Sequence, residues 1–368
     1  GAAEGGAGAG GGSAAKGMTE AECNLVCRLL RNGLRCFALY TPLPPTSPSP
    51  SPLVHAAASK DASAASKGAA SLSAAGVDAA AASVQEEKEV LDYFAGVFTV
   101  LDARNFTAIF TQQMPFLFDH LLENPAMSTI LQHFLANSNV SRYFADILLV
   151  FLLGRLPDLS DPSRREAPVL LRLFKLVFGS ITLFPENEPV LRPHLATIVN
   201  GATRHATHSV NASHHLFLLR ALFKSIGGGK FEALYKEFLP LLPPLLAHLM
   251  RYITCVQVRG LRDLLVELCL TLPARLSTLL PYLHLLMRPV LLALSGPPEL
   301  VTLALRTLEF WIDHLHPDFI QPLMAPRMRD LLLELCRQLK PQPHQFGPIA
   351  LRILGKLGGR NRRFLREP

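Results

Sequence analysis

Aromatic and charged side chains are scarce in this sequence, and so are long uninterrupted apolar runs. The 368 residues contain one tryptophan and six tyrosines, and 18% of them are charged. The longest apolar stretches are interrupted, for example at Pro240 and Arg288. They therefore fall short of the roughly 18–20 apolar residues of a membrane-spanning helix. This predicts that the chain does not cross a membrane, and that its hydrophobic content of 49% comes from helices buried against one another.

Catalytic and cofactor-binding motifs are missing as well. Gly227–Lys230 resembles part of a phosphate-binding loop, but Phe231 stands where that loop needs Ser or Thr. No G-x-S-x-G, H-E-x-x-H or kinase motif occurs. Four histidines crowd one predicted helix junction: His205, His208, His214 and His215. Because neither a carboxylate nor a cysteine lies among them, we expect a solvated loop and not a metal site. The sequence thus predicts a non-enzyme without cofactor, metal or small-molecule substrate.

The formal net charge of +7 is concentrated at one end of the sequence. Residues 85–350 hold 24 basic and 23 acidic side chains, whereas residues 351–368 hold six and one. A nearly neutral body argues against sequence-specific nucleic-acid binding. The basic residues near the end form a possible contact patch: Lys356, Arg360, Arg362 and Arg363. The same cations also suit a helix C-terminus, where they complement the helix dipole.

Composition divides the sequence into four segments. Residues 1–17 are a Gly/Ala tract that we expect to be disordered. Residues 18–40 are predicted to form a helix of the repeat array, with Thr19 and Glu22 in a capping box. Residues 41–84 are rich in Pro, Ser and Ala, which predicts a disordered linker. Residues 85–368 carry a nearly continuous helical pattern and are expected to be a solenoid that belongs to a longer array.

A Leu-Arg signature recurs along this solenoid. Its arginines are Arg172, Arg220, Arg262, Arg306 and Arg352, with steps of 48, 42, 44 and 46 residues. HEAT repeats, which are pairs of antiparallel helices, have periods of about 40–47 residues. The sequence therefore predicts an all-α HEAT-type solenoid with a period of about 42–48 residues. We expect the five arginines to be structural, bonded to loop carbonyls or to carboxylates of the next repeat.

The predicted second helices of the pairs are long and continuous, at about 188–206, 230–251, 275–293 and 318–339. A glycine stop, Gly227–Gly229, separates two predicted helices in Leu216–Pro243. Phe310 and Trp311 fall in a helical apolar stripe, so both are predicted to be core residues.

Long phrases of the sequence, such as RDLLVELCLTLPARLS from Arg262 onward and RILGKLGGRNRRFL from Arg352 onward, resemble the transformation/transcription domain-associated protein family. The resemblance is collinear over about residues 85–368. It implies an N-terminal HEAT-repeat fragment of a giant scaffold from the phosphatidylinositol-3-kinase-related group, whose kinase-like domain has lost catalytic residues. It further implies nuclear localisation, with subunits of SAGA-type and MYST-type histone acetyltransferase complexes and transcriptional activators as partners.

Two other functions fit the same helical pattern. One is the helical arm of an active kinase of the phosphatidylinositol-3-kinase-related group. The other is a transport-type HEAT adaptor such as a karyopherin, although such adaptors are expected to be acidic, which residues 85–350 are not.

Overall fold

The computed structural model describes residues 18–39, 85–161, 164–209, 212–340 and 345–360. The predicted Gly/Ala tract and the predicted linker lie outside these residues, and so do Arg362 and Arg363. The chain divides into two compact units, Gly1–Ile147 and Leu148–Pro368. Within the described ranges every regular element is helical, which confirms the all-α prediction.

The first unit contains four helices and the beginning of a fifth. They are α1 (Glu20–Leu39), α2 (85–98), α3 (Ala103–Glu123), α4 (Ser128–Ala136) and α5 (Ser141–Gly154), which contains the unit boundary. The predicted capping box of α1 is confirmed, because the Thr19 amide donates to Glu22 Oε2 at 2.7 Å and the Glu22 amide donates to Thr19 Oγ1 at 3.3 Å. The Asp102 side chain caps α3 in the same manner, accepting from the Asn105 amide.

Phenylalanine rings form the core of the first unit. Five of them are almost fully buried and contact one another edge to face or at a tilt: Phe98, Phe106, Phe110, Phe134 and Phe144. Phe110 lies at the centre, with ring centroids 4.4 Å from Phe106 and 4.9 Å from Phe134. Such pairs contribute about 0.5–1.5 kcal/mol each beyond the area they bury.

The second unit repeats one arrangement of helices. The first helices of successive pairs are α6 (Glu166–Leu183), α9 (Ser213–Ile226), α12 (Arg259–Leu270), α15 (Pro298–His314) and α18 (Gly347–Arg360). Each second helix consists of two α-helical halves. In chain order the halves are α7 (Glu188–Leu191) with α8 (Leu195–His208); α10 (Glu232–Phe238) with α11 (Leu242–Cys255); α13 (Leu276–Leu279) with α14 (Leu283–Leu294); and α16 (Pro317–Met324) with α17 (Met328–Arg337). Successive first helices pack on one another, and α9, α12, α15 and α18 each also pack on the second helix that precedes them. Leucine dominates the buried side chains between them.

The prediction of continuous second helices was wrong, because each is divided by a single 3₁₀ turn. Every such turn contains a proline in its first residues: Pro193, Pro240, Pro281 and Pro326. Proline has no amide hydrogen and its ring clashes with the carbonyl four residues earlier, so the α-helical pattern is interrupted locally. The prolines recur at steps of 47, 41 and 45 residues, which makes the turn a feature of the repeat.

Hydrogen bonds between side chains and the neighbouring repeat follow the predicted period. Arg192 bonds Glu237 at 2.9 Å, 45 residues away, and Tyr252 donates to the Ala206 carbonyl at 3.0 Å, 46 residues away. Gln338 Nε2 donates to the Leu294 carbonyl at 2.8 Å, 44 residues away. These separations match equivalent positions of adjacent repeats, so the HEAT-type period is confirmed.

The glycine stop between α9 and α10 is confirmed. α9 ends at Ile226 and α10 begins at Glu232, and Gly228 and Gly229 have φ values of +82° and +73°. A residue with a Cβ is strained at such φ values, which is why glycine stands here. A helix precedes the stop, whereas a phosphate-binding loop follows a strand.

Two stretches of the second unit have the length and hydropathy of a membrane-crossing helix, Glu232–Cys255 and Leu276–Leu294. Both are divided by the 3₁₀ turns at Pro240 and Pro281. Their resemblance to spanning helices rests on length and composition alone, which the core helices of non-membrane proteins also satisfy.

Candidate functional site

The five Leu-Arg arginines all lie on the first helices of successive pairs, one each on α6, α9, α12, α15 and α18. Arg220 Nε donates to Glu267 Oε1 of the next pair at 2.7 Å. Arg352 Nε lies 3.0 Å from Glu309 Oε1 of the preceding pair. Arg262 Nη2 donates to the Val256 carbonyl in the loop before its own helix, at 2.9 Å. These three side chains connect first helices to a neighbouring helix or loop.

The remaining two arginines are different. Arg172 and Arg306 are exposed, and neither forms a hydrogen bond with any residue that the structure describes. Equivalent sequence positions therefore have two environments. The arginines of one set are bonded within the repeat array. Those of the other set expose the guanidinium group to solvent, where a partner can reach it.

Lys356, the first residue of the basic patch, is bonded to acidic side chains of α15. Lys356 Nζ lies 2.8 Å from Asp313 Oδ2 and 3.0 Å from Glu309 Oε1. Hydrogen bonds to Asp313 and Glu309 raise the pKa of the Lys356 ammonium. The side chain of Arg360 and the residues Arg362 and Arg363 lie outside the described part, so the contact patch stays a hypothesis.

The four histidines lie on helices, His205 and His208 on α8 and His214 and His215 on α9, so the expectation that they lie in a solvated loop was wrong. His215 is fully buried at the start of α9, with its Nε2 3.0 Å from Ser160 Oγ and its ring stacked 5.4 Å from His205. Burial, assisted by the neighbouring His205 and His214, lowers the pKa of His215 to about 4. No group of three His, Cys, Asp or Glu side chains within the described ranges is arranged to hold a metal ion.

An apolar groove of about 260 Å³ lies between α12, the segment after it and α15. Its lining consists of Cys269, Leu270, Leu272, Ala274, Leu276, Leu279, Leu286, Arg306, Thr307, Phe310 and Trp311. Trp311 is 3% exposed and belongs to the core, as predicted, whereas Phe310 is 47% exposed, so the core prediction for it was wrong. The two residues are consecutive on one helix and therefore point in directions about 100° apart, so that one can be buried while the other faces solvent.

The lining of this groove is mostly apolar, with one cation and one exposed aromatic ring. Burial raises the pKa of the Cys269 thiol to about 12, so this wall is uncharged at neutral pH. Arg306 is the only ionisable cation in the lining of the described groove, and Phe310 adds an exposed aromatic ring. The sequence contained a signal for this site, because Arg306 precedes the aromatic Phe310 by four residues and both therefore lie on one helical face. The sequence did not show that this face is uncovered.

Residues 10–342 match the family model described as the Tra1 HEAT repeat central region. That description names the central region, whereas the sequence had suggested the N-terminal part of the array.

Curated relatives match about three quarters of the chain. Over 285 residues it is 46% identical to "Transcription-associated protein 1" of Drosophila melanogaster and 45% identical to the human "Transformation/transcription domain-associated protein", in both cases covering 77% of this chain. Over 289 residues, or 78% of the chain, it is 42% identical to "SAGA complex/NuA4 acetyltransferase complex subunit TRA1" of Saccharomyces cerevisiae. The matched part spans only 7–8% of the length of these relatives.

Proposed function

We propose a function on the premise of family membership: the chain belongs to the family of the Tra1 HEAT repeat central region. In this proposal it is a non-catalytic segment of a nuclear scaffold subunit in SAGA-type and MYST-type (NuA4-like) histone acetyltransferase complexes. The observation that carries the proposal is the 42% identity, over 78% of the chain, to a yeast protein named as a subunit of the SAGA and NuA4 acetyltransferase complexes.

The helix pairs of the second unit support a scaffolding role. The main helix contacts of the described residues join neighbouring pairs, so a series of pairs provides an extended surface with many separate contact points. Polar bonds one repeat apart, such as Arg220 to Glu267 and Arg192 to Glu237, hold adjacent pairs in one relative orientation. A partner that binds across two pairs therefore meets a preformed surface and does not have to order it.

We further propose that transcriptional activators dock at the groove beside α15. Activator segments are commonly disordered and combine acidic with apolar residues. The groove can take one bulky apolar side chain against Phe310, and Arg306 can pair with an adjacent carboxylate without first losing another partner. A short acidic–apolar segment satisfies both features at once.

The scaffold proposal is tested by purifying the full-length tagged protein from nuclei and identifying its partners by mass spectrometry. We expect acetyltransferase-complex subunits in near-stoichiometric amounts. Recovery of transport factors, or of an active kinase assembly, would leave the fold intact and replace this function with one of the two alternatives above.

The docking proposal is tested with Arg306→Glu in the assembled complex. We expect roughly tenfold weaker binding of a fluorescent acidic–apolar peptide, because losing one charge-assisted bond and adding one repulsion costs about 1.5 kcal/mol or more. Arg172→Glu is the matched control, since Arg172 is the other exposed Leu-Arg arginine. Equal losses in both variants, or no loss in either, would remove the groove from the proposal and leave the scaffold role in place.

A further inference from the structure

The helices α8 and α11 are free of acidic residues. They occupy equivalent places in two adjacent pairs, they pack on each other, and neither contains Asp or Glu. Their charged and titratable cationic side chains are Arg204, His205, His208, His248 and Arg251. The corresponding helix of the next pair, α14, also lacks acidic residues, so this segregation of charge follows three successive helices of an array that is nearly neutral as a whole.

A groove of about 320 Å³ runs between these two helices. Arg204 and Arg251 both line it, and each lies eleven residues after the proline of its own 3₁₀ turn, Pro193 or Pro240. The two guanidinium groups therefore stand at equivalent positions one repeat apart, on opposite sides of the groove. Adjacent packed helices have axes about 8–10 Å apart, a distance that two arginine side chains can close around one ligand group.

The arginines of this groove lack the carboxylate partners that other arginines of the unit have. Arg192, Arg220 and Arg275 each bond a glutamate of a neighbouring pair. The guanidinium groups of Arg204 and Arg251 form no hydrogen bond with any residue of the described ranges, and both side chains are exposed. The groove therefore carries two unneutralised positive charges.

A third polar side chain lines the same groove. It is that of His248, whose Nε2 atom is buried and has no hydrogen-bond partner among the described residues. A ligand that supplies an acceptor to this nitrogen would satisfy its hydrogen-bonding capacity once the ring turns the nitrogen toward the groove. The ring also makes an edge contact with Tyr252, with centroids 6.2 Å apart.

The number and kind of donors favour a phosphoryl group. A phosphomonoester carries about two negative charges and three acceptor oxygens at neutral pH, whereas a carboxylate carries one charge and two oxygens. Two guanidinium groups and one imidazole match the phosphomonoester, because each arginine can form a bidentate bond with two of its oxygens. The lining contains no Phe, Tyr or Trp on which a nucleic-acid base could stack. The groove is also open along its solvent side, which suits an extended chain.

We propose that the groove between α8 and α11 binds a phosphorylated serine or threonine of a partner peptide, with Arg204, Arg251 and His248 as the phosphoryl donors. The site is separate from the apolar groove beside α15 and does not depend on the proposed function. It adds a contact that the partner's phosphorylation state controls.

The experiment uses the full-length protein in its purified complex and a photoreactive probe, the peptide Ala-Gly-phosphothreonine-Gly-Ala with a diazirine label. Matched probes carry threonine or glutamate at the central position. We expect the phosphothreonine probe to crosslink to peptides of α8 and α11, and the other two probes to do so at least fivefold less. Inorganic phosphate at about 10 mM should reduce the crosslinking.

The double variant Arg204→Gln, Arg251→Gln should lose at least tenfold of the crosslinking, and His248→Gln should lose a few-fold. Arg288→Gln is the matched control, because Arg288 is an exposed arginine on α14, the corresponding helix of the next pair. Thermal melting of each variant complex separates loss of binding from loss of folding.

Several results would overturn the proposal. Equal labelling by the glutamate probe would show a groove for acidic peptides, and equal loss in Arg288→Gln would show a diffuse charge effect. A last contrary result is that micromolar inositol hexakisphosphate or a short RNA displaces the probe, whereas unlabelled phosphopeptide in the same concentration range does not. That result would assign the groove to a free polyphosphate or to nucleic acid.

Discussion

The two compact units of the chain are both helical, but their interiors are built from different side chains. In Gly1–Ile147 the centre is a connected cluster of phenylalanine rings, in which Phe110 and Phe134 each contact the other four: Phe98, Phe106, Phe144 and one another. In Leu148–Pro368 the interior is mostly leucine, and the phenylalanine pairs there, Phe174 with Phe178 and Phe223 with Phe238, are separate from each other.

The polar contacts differ in the same way. In the second unit most long-range side-chain contacts join residues 43–47 positions apart, as in Arg192 with Glu237 and Lys356 with Glu309, and the contact of Ser160 with His215 is an exception at 55 positions. In the first unit Arg31 Nε donates to Gln113 Oε1 at 2.7 Å across 82 residues, and His133 Nδ1 lies 3.4 Å from Asp92 Oδ1 across 41 residues.

The difference shows two ways of stabilising helix pairs. A cluster of large rings is specific to one location, since each ring needs a matching neighbour, and its loss affects the whole unit. Leucine layers with polar bonds between adjacent pairs can be repeated indefinitely, because each pair contacts only the next one. We therefore expect the first unit to respond to substitutions as one body and the second to respond locally.

The largest expected effect is that of Phe110→Ala. Removing a fully buried ring from the cluster should destabilise the first unit by about 3–5 kcal/mol and raise amide hydrogen exchange throughout α3, α4 and the beginning of α5. The comparison variant is Leu222→Ala, also fully buried, which should raise exchange mainly in α9 and the helices it packs on. Hydrogen-exchange mass spectrometry distinguishes the patterns, and a uniform rise in the second unit would contradict the comparison.

An effect of intermediate size concerns the free energy of unfolding in acid, which should depend on the buried histidine of the second unit, His215. The folded-state pKa of His215 is about 4, whereas an unfolded histidine has a pKa near 6.5, so the unfolded chain binds the extra proton between these values. Stability should therefore fall as pH falls below 6.5, by about 2 kcal/mol at pH 5 from this residue.

Chemical denaturation at pH 7 and pH 5 measures this loss. His215→Gln should be less stable than wild type at pH 7, because the Ser160 contact changes, but should lose less stability on acidification. His208→Gln, at an exposed position, is the control and should retain the wild-type pH dependence. An unchanged dependence in His215→Gln would assign the acid effect to other groups.

The smallest expected effect on stability is that of removing one polar bond between adjacent helix pairs. Glu267 is 18% exposed and accepts from Arg220, whose side chain is 38% exposed, so Glu267→Gln should cost no more than about 1 kcal/mol. A double-mutant cycle with Arg220→Gln should give a coupling of about 0.5–1 kcal/mol that decreases in 1 M salt. Glu186→Gln, at an exposed residue, is the control. A coupling above about 3 kcal/mol would indicate that these bonds, and not the leucine layers, hold the pairs together.

Much of the fold could be predicted because helix formation depends on local periodicity. The helices predicted at 166–183 and 212–226 correspond to Glu166–Leu183 and Ser213–Ile226. The 3₁₀ turns were missed although their prolines were visible in the sequence, since proline is also tolerated in a first helical turn and the pattern continued on both sides. Their recurrence at the repeat period was the usable signal.

The candidate sites were less predictable than the helices. Phe310 and His215 were placed in the wrong environments because a periodic stripe shows which residues share a face but not whether a neighbouring helix covers that face. The groove between α8 and α11 depends on two arginines 47 residues apart, and its sequence signal, two equivalent helices without acidic residues, has meaning only once the helices are known to be neighbours.

The sequence by itself determined the helical class, the repeat period, the glycine stop at Gly227–Gly229 and the family, because all of these follow from local patterns or from residue identity. Only the tertiary structure decided which of the five repeat arginines bond another residue of the described ranges and which do not. Arg220 meets Glu267 and Arg306 meets solvent because the partner comes from another helix pair, through a contact between residues far apart in the sequence. Helical periodicity does not contain that information.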